Sequence, residues 1–224
     1  MASPPPNEVF LSSCGSRAAL AIQVGREGQP GTERRVLELP FALLGRDERN
    51  QLRLEDAQVS RRHAYLQAIA GGLFCIDLES RTGVHWNGQR CPSGWVSARD
   101  SLRIGPFILR LPEAMPPGPG PSGLPGAWDP LAAETPAASP QPAWTLEVPG
   151  GPSGQLNRAL TLLGKSSRCK FRVHTPDASA FHCSLVRTPK GVWAIDLLSR
   201  HGTRVNGERI SWALLREGDE LRVG

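Results

Sequence analysis

The sequence has no run of about 18 or more consecutive apolar residues, so it predicts no membrane-spanning helix. Its first residues also lack the basic segment followed by an apolar core that marks a secretory signal. Cysteine is scarce and odd in number, with five among 224 residues, which argues against a disulfide framework. We therefore expect reduced thiols in a cytoplasmic protein.

Helical periodicity is missing as well. No segment carries apolar residues at i, i+3, i+4 and i+7 in a convincing stripe, and the nearest one, residues 36–44, is interrupted by Pro40. The chain instead has many short apolar stretches, such as residues 73–78 and 102–111, with turn signals such as Asn87-Gly88 between them. This pattern predicts an all-β fold, and specifically a β-sandwich.

One ordered pattern is written twice in the chain, and the second copy starts 119 positions after the first (164 − 45 = 119). The offset holds without an insertion up to the closing Leu-Arg-Ile-Gly105 and Leu-Arg-Val-Gly224. A repeat kept in register over this length predicts two copies of one domain. The matching positions include Gly45 and Gly164, Ser60 and Ser179, His63 and His182, Asn87 and Asn206, and Gly88 and Gly207.

The repeat sets the expected domain organisation. The segment between the copies is rich in Pro, Gly and Ala and cannot bury enough apolar surface to offset its ordering entropy. The second copy stops at Gly224, before a match to the last apolar strand of the first, so we expect it to lack that strand and the sequence to be part of a longer chain. The expected segments are a flexible tail (1–16), a first domain (17–111), a linker (112–142) and a second domain (143–224).

The ordered set of Gly-Arg, Ser-x-x-His, Asp-Leu-x-Ser-x-x-Gly and Asn-Gly resembles the signature of the forkhead-associated (FHA) domain, in particular the tandem, arginine-rich bacterial versions. The resemblance implies two β-sandwiches of about eleven strands each, whose loops at one end bind phosphothreonine peptides. It implies a binding module rather than an enzyme, with no cofactor. The expected partner is a phosphothreonine-containing protein that lies downstream of a Ser/Thr kinase.

In the first repeat, the resemblance assigns five residues to the phosphopeptide. Arg46 is expected to grip the phosphate, Ser60 to donate its hydroxyl to a phosphate oxygen, and Arg61 to add charge. Arg81 is expected to lie beside the phosphothreonine. Thr82 stands where the family usually has an asparagine that binds the peptide backbone, which leaves selectivity beyond the phosphate open.

Other recurring residues are expected to serve the fold. By the same resemblance, His63 buttresses the loop that carries Ser60, Gly45 meets a backbone constraint, and Asn87-Gly88 forms a turn. Their counterparts in the second repeat are Gly164, His182, Asn206 and Gly207.

The second repeat departs from the pattern at the phosphate. Lys165 replaces the planar guanidinium of the first repeat, and Ala180 removes a positive donor. Ser179 and Arg200 are retained, and His201 stands where the asparagine is expected. We therefore expect a weaker or differently used second site, and a phospho-independent scaffold or assembly module with degenerate pockets remains the alternative function.

Three other kinds of site are not expected, because the chain lacks the sequence motifs that they require. Residues 164–166 (Gly-Lys-Ser) resemble the end of a phosphate-binding P-loop, but Ala159 stands where that motif needs a glycine. No Cys-x-x-Cys or His-x₃-His spacing suggests a metal site. Ser60, His63 and Asp77 lack a nucleophile elbow, so no catalytic triad is expected.

The net charge of +5 is spread over both repeats, so a nucleic-acid partner is not expected. Thr135, in a Glu-Thr-Pro sequence of the linker, is a candidate phosphorylation site and would then be a ligand for the protein's own domains.

Overall fold

The computed structural model describes residues 4–16, 20–112, 129–132, 143–147 and 153–224. The chain divides into two compact units, Met1–Ala127 and Trp128–Gly224. Thr135 lies outside the described residues, and so does most of the predicted linker.

The described residues of the first unit form eleven strands, in line with the number that the resemblance implied. Their bounds are β1 (Leu20–Arg26), β2 (Thr32–Leu37), β3 (Phe41–Gly45), β4 (Leu52–Arg53), β5 (Ala64–Ile69), β6 (Gly72–Asp77), β7 (Val84–Trp86), β8 (Gln89–Arg90), β9 (Ser93–Val96), β10 (Leu102–Ile104) and β11 (Phe107–Arg110).

These strands form two sheets. One has six strands in the order β2-β1-β11-β10-β7-β8, and the other has five in the order β4-β3-β5-β6-β9. All pairings are antiparallel except β3 with β4. Every residue of β3, β5 and β6 is buried, which explains why these strands read as apolar runs rather than as an apolar–polar alternation. The predicted β-sandwich is confirmed.

Ten strands lie in the described residues of the second unit. They are β12 (Thr145–Leu146), β13 (Gly154–Gln155), β14 (Leu160–Gly164), β15 (Phe171–Arg172), β16 (Cys183–Thr188), β17 (Gly191–Asp196), β18 (Thr203–Val205), β19 (Glu208–Ile210), β20 (Trp212–Leu215) and β21 (Leu221–Val223).

The second unit repeats the five-stranded sheet as β15-β14-β16-β17-β20. Its other sheet is divided into a β12-β13 pair and a β19-β18-β21 group. In the first unit β11 joins the two corresponding parts by pairing with both β1 and β10. The described residues of the second unit hold no equivalent of β11, as predicted.

The predicted flexible tail is wrong for half of its length, because helix α1 (Pro6–Ser13) forms there. Phe10 on this helix is fully buried, and its ring centroid lies 6.1 Å from that of Phe41. After the helix, the carbonyl of Cys14 accepts a hydrogen bond of 3.0 Å from the amide of Gly71. An isolated helix of eight residues is not stable in water, so packing on the first unit holds it.

The predicted linker is also wrong for residues 129–132, which form a turn. The Asp129 carboxylate accepts a hydrogen bond from the amide of Leu131 at 2.8 Å. Pro130 is buried, and its carbonyl accepts one from the amide of Leu160 at 3.1 Å. These residues therefore belong to the second unit.

Within the described part of the chain, no helix is long and apolar enough to span a membrane.

All five cysteines are free, and burial raises the pKa of the Cys14 thiol to about 12. The described residues contain no group of three or more His, Cys, Asp or Glu side chains arranged to hold a metal ion.

Candidate functional site

Three loops meet at one end of the first unit. They are the β3–β4 loop (46–51), the β4–β5 loop (54–63) and the β6–β7 loop (78–83). The amide of Arg46 donates to the carbonyl of Ser60 at 3.1 Å, and the amide of Asp47 donates to the carbonyl of Arg61 at 3.2 Å. The amide of Arg81 donates to the hydroxyl oxygen of Ser60 at 3.1 Å. The structure thus brings the predicted phosphate-contacting residues together.

Gly45 allows this close approach. A Cβ atom there would overlap the carbonyl oxygen of Arg61 and would lie 2.9 Å from that of Ser60. Only a residue without a side chain lets the end of β3 run directly against the loop that carries Ser60 and Arg61. Gly164 meets the same constraint from Ala180 in the second unit.

Ser60 is held from two sides while its hydroxyl proton remains available. Its amide donates to Nδ1 of His63 at 3.1 Å, and its Oγ accepts from the amide of Arg81. Because Oγ acts as the acceptor in that bond, its own proton can be donated to a ligand. The side chain is half-buried at the rim of the loops.

His63 connects the β4–β5 and β6–β7 loops. It is fully buried, and its Nε2 lies 3.0 Å from the carbonyl oxygen of Gly83. The neutral tautomer with the proton on Nε2 satisfies both contacts, since Nδ1 then accepts from Ser60. Burial is the main cause that lowers the pKa of His63 below its ordinary value, against the opposing effect of the bond to Gly83.

This lowered pKa makes stability depend on pH. As pH falls below about 6.5, the unfolded chain takes up a proton at this histidine before the folded chain does. We expect full stability above that pH and a progressive loss as pH falls toward the lower folded pKa of His63. Thermal unfolding of the full chain between about pH 8 and pH 5 would measure it.

His63→Gln should be less stable at neutral pH and should lose less stability on acidification. The exposed His174 supplies the matched control, because His174→Gln should keep the wild-type slope. Equal slopes for His63→Gln and the wild type would contradict the assigned role.

Two guanidinium groups lie on the β3–β4 and β4–β5 loops. Arg46 and Arg61 are exposed, and neither side chain makes a hydrogen bond or ion pair with another described residue. The neighbouring Asp47 is instead paired with Arg49, with Nε and Oδ1 2.9 Å apart. The hydrogen bond from Arg49 is the main cause that lowers the pKa of Asp47 to about 2. The negative charge of Asp47 is therefore balanced mainly by Arg49 and not by Arg46.

Arg81 and Thr82 are both engaged with the β4–β5 loop. Nη2 of Arg81 donates to the carbonyl of Ala57 at 2.5 Å, and the Thr82 hydroxyl donates to the carbonyl of Gln58 at 3.1 Å. Both side chains therefore brace the loop that carries Ser60. Sequence reasoning missed this bracing because it depends on where the loop backbone passes.

The turn at Asn87-Gly88 lies away from these loops. Both residues have left-handed φ angles, 49° and 89°. The Asn87 side chain donates to Asp100 at 2.9 Å and accepts from the amide of Ser101 at 2.9 Å. In the second unit Asn206, Gly207 and Asp219 repeat the arrangement.

The second unit keeps the frame of the site. The amide of Ser179 donates to Nδ1 of His182 at 3.1 Å, and Nε2 of that ring lies 3.0 Å from the carbonyl oxygen of Gly202. The hydroxyl oxygen of Ser179 accepts from the amide of Arg200 at 3.2 Å. Each contact matches one in the first unit.

The charged groups of the second site are used differently. The Lys165 ammonium donates to the carbonyl of Pro176 at 2.8 Å. Nε2 of His201 lies 3.6 Å from the Asp177 carboxylate. Lys165 is therefore bonded to the loop that carries Ser179, and His201 lies beside that loop, whereas Arg46 in the first unit has no such hydrogen bond.

Arg90 is a residue that sequence reasoning missed. A Cβ at Gly83 would lie 3.0 Å from both Cδ and Cζ of Arg90, so this guanidinium packs against the β6–β7 loop. In the second unit Arg209 lies in the same place against Gly202. The 119-residue offset relates Arg90 to Arg209, and this recurrence was the available signal.

Compared with known families, the chain matches the FHA domain over residues 42–105 and again over 161–224, together more than half of its length. The chain belongs to the FHA family. The two matched segments contain both sets of loops, so the predicted tandem FHA architecture is confirmed.

Similar proteins occur in mycobacteria. The ABC transporter ATP-binding/permease protein Rv1747 of Mycobacterium tuberculosis is 23% identical over 87% of this chain and 32% of its own length. The glycogen accumulation regulator GarA of Mycolicibacterium smegmatis is 30% identical over 42% of this chain and 60% of its own. The crystal structure of the FHA-1 domain of Rv1747 is 25% identical, with a TM-score of 0.34, and covers 42% of this chain and 98% of that one. The chain thus spans less than two thirds of these curated relatives.

Proposed function

We propose that the first FHA domain binds phosphothreonine segments of a partner protein and so makes protein association depend on a Ser/Thr kinase. The observation that carries the proposal is the grouping of Arg46, Arg61 and the Ser60 hydroxyl on loops fixed by His63. The proposed setting is the cytoplasm, where such a kinase would act on the partner.

The chemistry of phosphothreonine fits this group. The phosphate carries nearly two negative charges and three acceptor oxygens. A guanidinium without an internal partner can bind two of these oxygens side by side, and charge-assisted hydrogen bonds of this kind are the strong ones. A second guanidinium and a short hydroxyl donor complete an anion site, and fixed loops reduce the entropy lost on binding.

Peptide titration tests the proposal. Fluorescence anisotropy with the full chain and libraries of phosphothreonine, phosphoserine and unmodified peptides should show binding to the phosphothreonine set. The unmodified set should bind at least about 30-fold more weakly, since loss of the phosphate removes several charge-assisted hydrogen bonds of about 1.5–3 kcal/mol each. Equal binding of unmodified peptides would refute phosphate recognition.

The contacts of the second domain favour a different use. Because Lys165 donates to the protein itself and His201 lies near Asp177, we propose a phospho-independent assembly role for this domain as the second candidate function. Light scattering of the full chain and of Lys165→Ala/Ser179→Ala would separate the two roles. Self-association that is the same in both proteins would support assembly, and self-association lost in the variant would show that the pocket is used.

The linker offers a ligand within the same chain. A phosphate on Thr135 would make the Glu-Thr-Pro sequence a candidate self-ligand for the first domain. Mass spectrometry of the protein isolated from its cells tests this, and absence of phosphate at Thr135 would remove it.

A further inference from the structure

Basic side chains face one another across three adjacent strands of each domain. In the register of β7, β8 and β10, His85 pairs with Arg90 on one side and with Arg103 on the other. In the second domain Arg204 pairs in the same way with Arg209 and Arg222. We call each set a basic row; the rows are Arg90–His85–Arg103 and Arg209–Arg204–Arg222.

Both rows lie on the outer face of their sheet. In the first domain the residues before and after His85 and Arg103 on their strands are buried, and side chains alternate between faces. The row therefore points away from the core, with Arg90 exposed and His85 and Arg103 half-buried. All three arginines of the second row are exposed.

Among the described residues, no acidic side chain forms an ion pair with either row. Burial, Arg103 and Arg90 lower the pKa of His85 against the opposing charge of Asp77, so at neutral pH the two arginines carry the charge of the first row.

In the second row the side chains of Arg204 and Arg222 donate only to the carbonyls of Gly207 and Gly224. In this row Arg204 stands directly opposite Arg209 and Arg222. Like charges in such positions destabilise a sheet, so the fold alone gives no reason for this arrangement.

The basic rows occur in both repeats, whereas two residues expected to bind the phosphate are replaced in the second. Between the two repeats Arg46 becomes Lys165 and Arg61 becomes Ala180, whereas every position of the row stays basic. His85 changes to Arg204, which adds a permanent charge to the second row, because burial and the two neighbouring arginines lower the pKa of His85. The two outer positions of the row carry arginine in both repeats. A requirement for positive charge at these positions is thus separate from the requirement at the phosphate.

Each row begins at the pocket. Arg90 packs against Gly83, next to Arg81 and Thr82, and Arg209 packs against Gly202. From there the row crosses two inter-strand steps of about 4.8 Å, so it extends roughly 10 Å from the β6–β7 loop. An extended peptide covers this distance in about three residues.

From this continuity we infer that the basic row is an acidic subsite, which binds Asp or Glu residues of the partner polypeptide adjacent to its phosphothreonine. The inference rests on the proposed function. Charges on an exposed row act over about 8 Å at physiological ionic strength. The acidic residues must therefore belong to the segment that is already held in the pocket.

A protein segment fits the rows better than nucleic acid does. Each row is short and is joined to a phosphopeptide pocket, whereas a nucleic-acid site needs a positive groove or stripe that follows a long backbone. The first row presents two arginines and the second presents three, which match two or three residues of an acidic peptide.

Matched peptides test the inference on the full chain. Each phosphothreonine peptide carries three Glu residues on its N-terminal or its C-terminal side, and its reference carries three Gln residues there. On one of the two sides, the wild type should bind the Glu peptide about tenfold more tightly than the Gln peptide, since each exposed charge pair contributes only a fraction of a kcal/mol to about one. This ratio should fall to within about twofold at roughly 1 M salt, where screening acts over about 3 Å.

The variant R103Q/R222Q neutralises the far end of both rows, and the Glu-to-Gln affinity ratio should fall to within about threefold. R99Q/R216Q removes two exposed arginines from the turns before β10 and β21 and should keep the wild-type ratio. The melting temperature of R103Q/R222Q should be no lower than that of the wild type, because the substitution relieves repulsion.

The outcomes separate the two proposals. If Arg46→Ala weakens binding of the Gln peptides but R103Q/R222Q keeps the full Glu preference, the acidic subsite is wrong and the phosphothreonine pocket stands. Equal binding of Glu and Gln peptides by the wild type would also overturn the subsite. Tighter binding of a single-stranded DNA 12-mer than of the Glu phosphopeptide, lost in R103Q/R222Q, would replace the peptide partner with nucleic acid. If Arg46→Ala binds all peptides as the wild type does, the proposed function itself fails.

Discussion

Arg46→Ala should bind a phosphothreonine peptide about 30- to 150-fold more weakly than the wild type, a loss of about 2–3 kcal/mol. The side chain is exposed and has no hydrogen bond or ion pair to another described residue, so its removal should leave the melting temperature unchanged. The loss of affinity then comes entirely from the missing contact with the peptide. Isothermal titration calorimetry with a single phosphopeptide measures it.

Two further variants sharpen this result. Arg46→Lys keeps the charge but loses the planar pair of donors, so it should recover part of the loss and remain about five- to tenfold weaker than the wild type. Arg99→Ala removes the same charge from an exposed turn and should bind as the wild type does. If Arg46→Ala and Arg99→Ala have the same affinity, a general charge effect explains the binding and the pocket does not.

Gly45→Ala should lower stability and binding together. The added Cβ would overlap the carbonyl oxygen of Arg61, and Ser60 is also within 2.9 Å. The obstacle is backbone, so it cannot move aside as a side chain does. Overpacking of this kind costs about 3 kcal/mol, which corresponds to a fall in melting temperature of roughly 15 °C for a domain of this size.

Affinity for the phosphopeptide should fall by at least about tenfold in Gly45→Ala, because the loop that is displaced carries Ser60 and Arg61. Gly28→Ala provides the control: nothing lies within 4 Å of a Cβ there, and the strain comes only from a φ of 74°. It should cost about 1 kcal/mol and leave affinity unchanged. A Gly45→Ala protein that melts within about 2 °C of the wild type would contradict the steric role of this glycine.

Both predictions rest on a comparison of the site in the two repeats. The frame of the site is nearly identical in the two domains, down to the histidine bonds of 3.0 and 3.1 Å. The exposed charges differ. Comparing the copies thus separates residues that the fold requires from residues that vary, and Arg46 and Arg61 belong to the second group.

The sandwich could be predicted from the sequence because its signals are local. Asn-Gly turns, short apolar strands and the 119-residue register each depend on neighbouring residues or on direct comparison of the two copies. The fully buried strand β6 was recognisable as the short apolar stretch at residues 73–78, although it does not alternate.

Helix α1 could not be predicted in the same way. Its eight residues carry no strong amphipathic stripe, and its stability comes from burying Phe10 against Phe41. The turn at residues 129–132 is similar, since the bond between Pro130 and Leu160 joins parts of the chain that are distant in sequence. Tertiary contacts of this kind are not encoded in local patterns.

The candidate site was predictable as a list of residues but not as a network of contacts. The position of Ser60 relative to His63 follows from their spacing, whereas the bond from Arg81 to Ala57 depends on the path of two loops. The basic rows were missed for a related reason. Residues 85, 90 and 103 are scattered in sequence, and only the cross-strand register places them side by side.

The most direct test of the central claim is a nuclear magnetic resonance titration of the ¹⁵N-labelled full chain with one phosphothreonine peptide. The largest amide shifts should occur at Arg46, Ser60, Arg61, Arg81 and Thr82, and the amides of Asn87 and Gly88 should stay in place. The unmodified peptide should move none of these signals. Shifts that avoid the three loops, or that are the same with and without the phosphate, would contradict phosphothreonine recognition at this site.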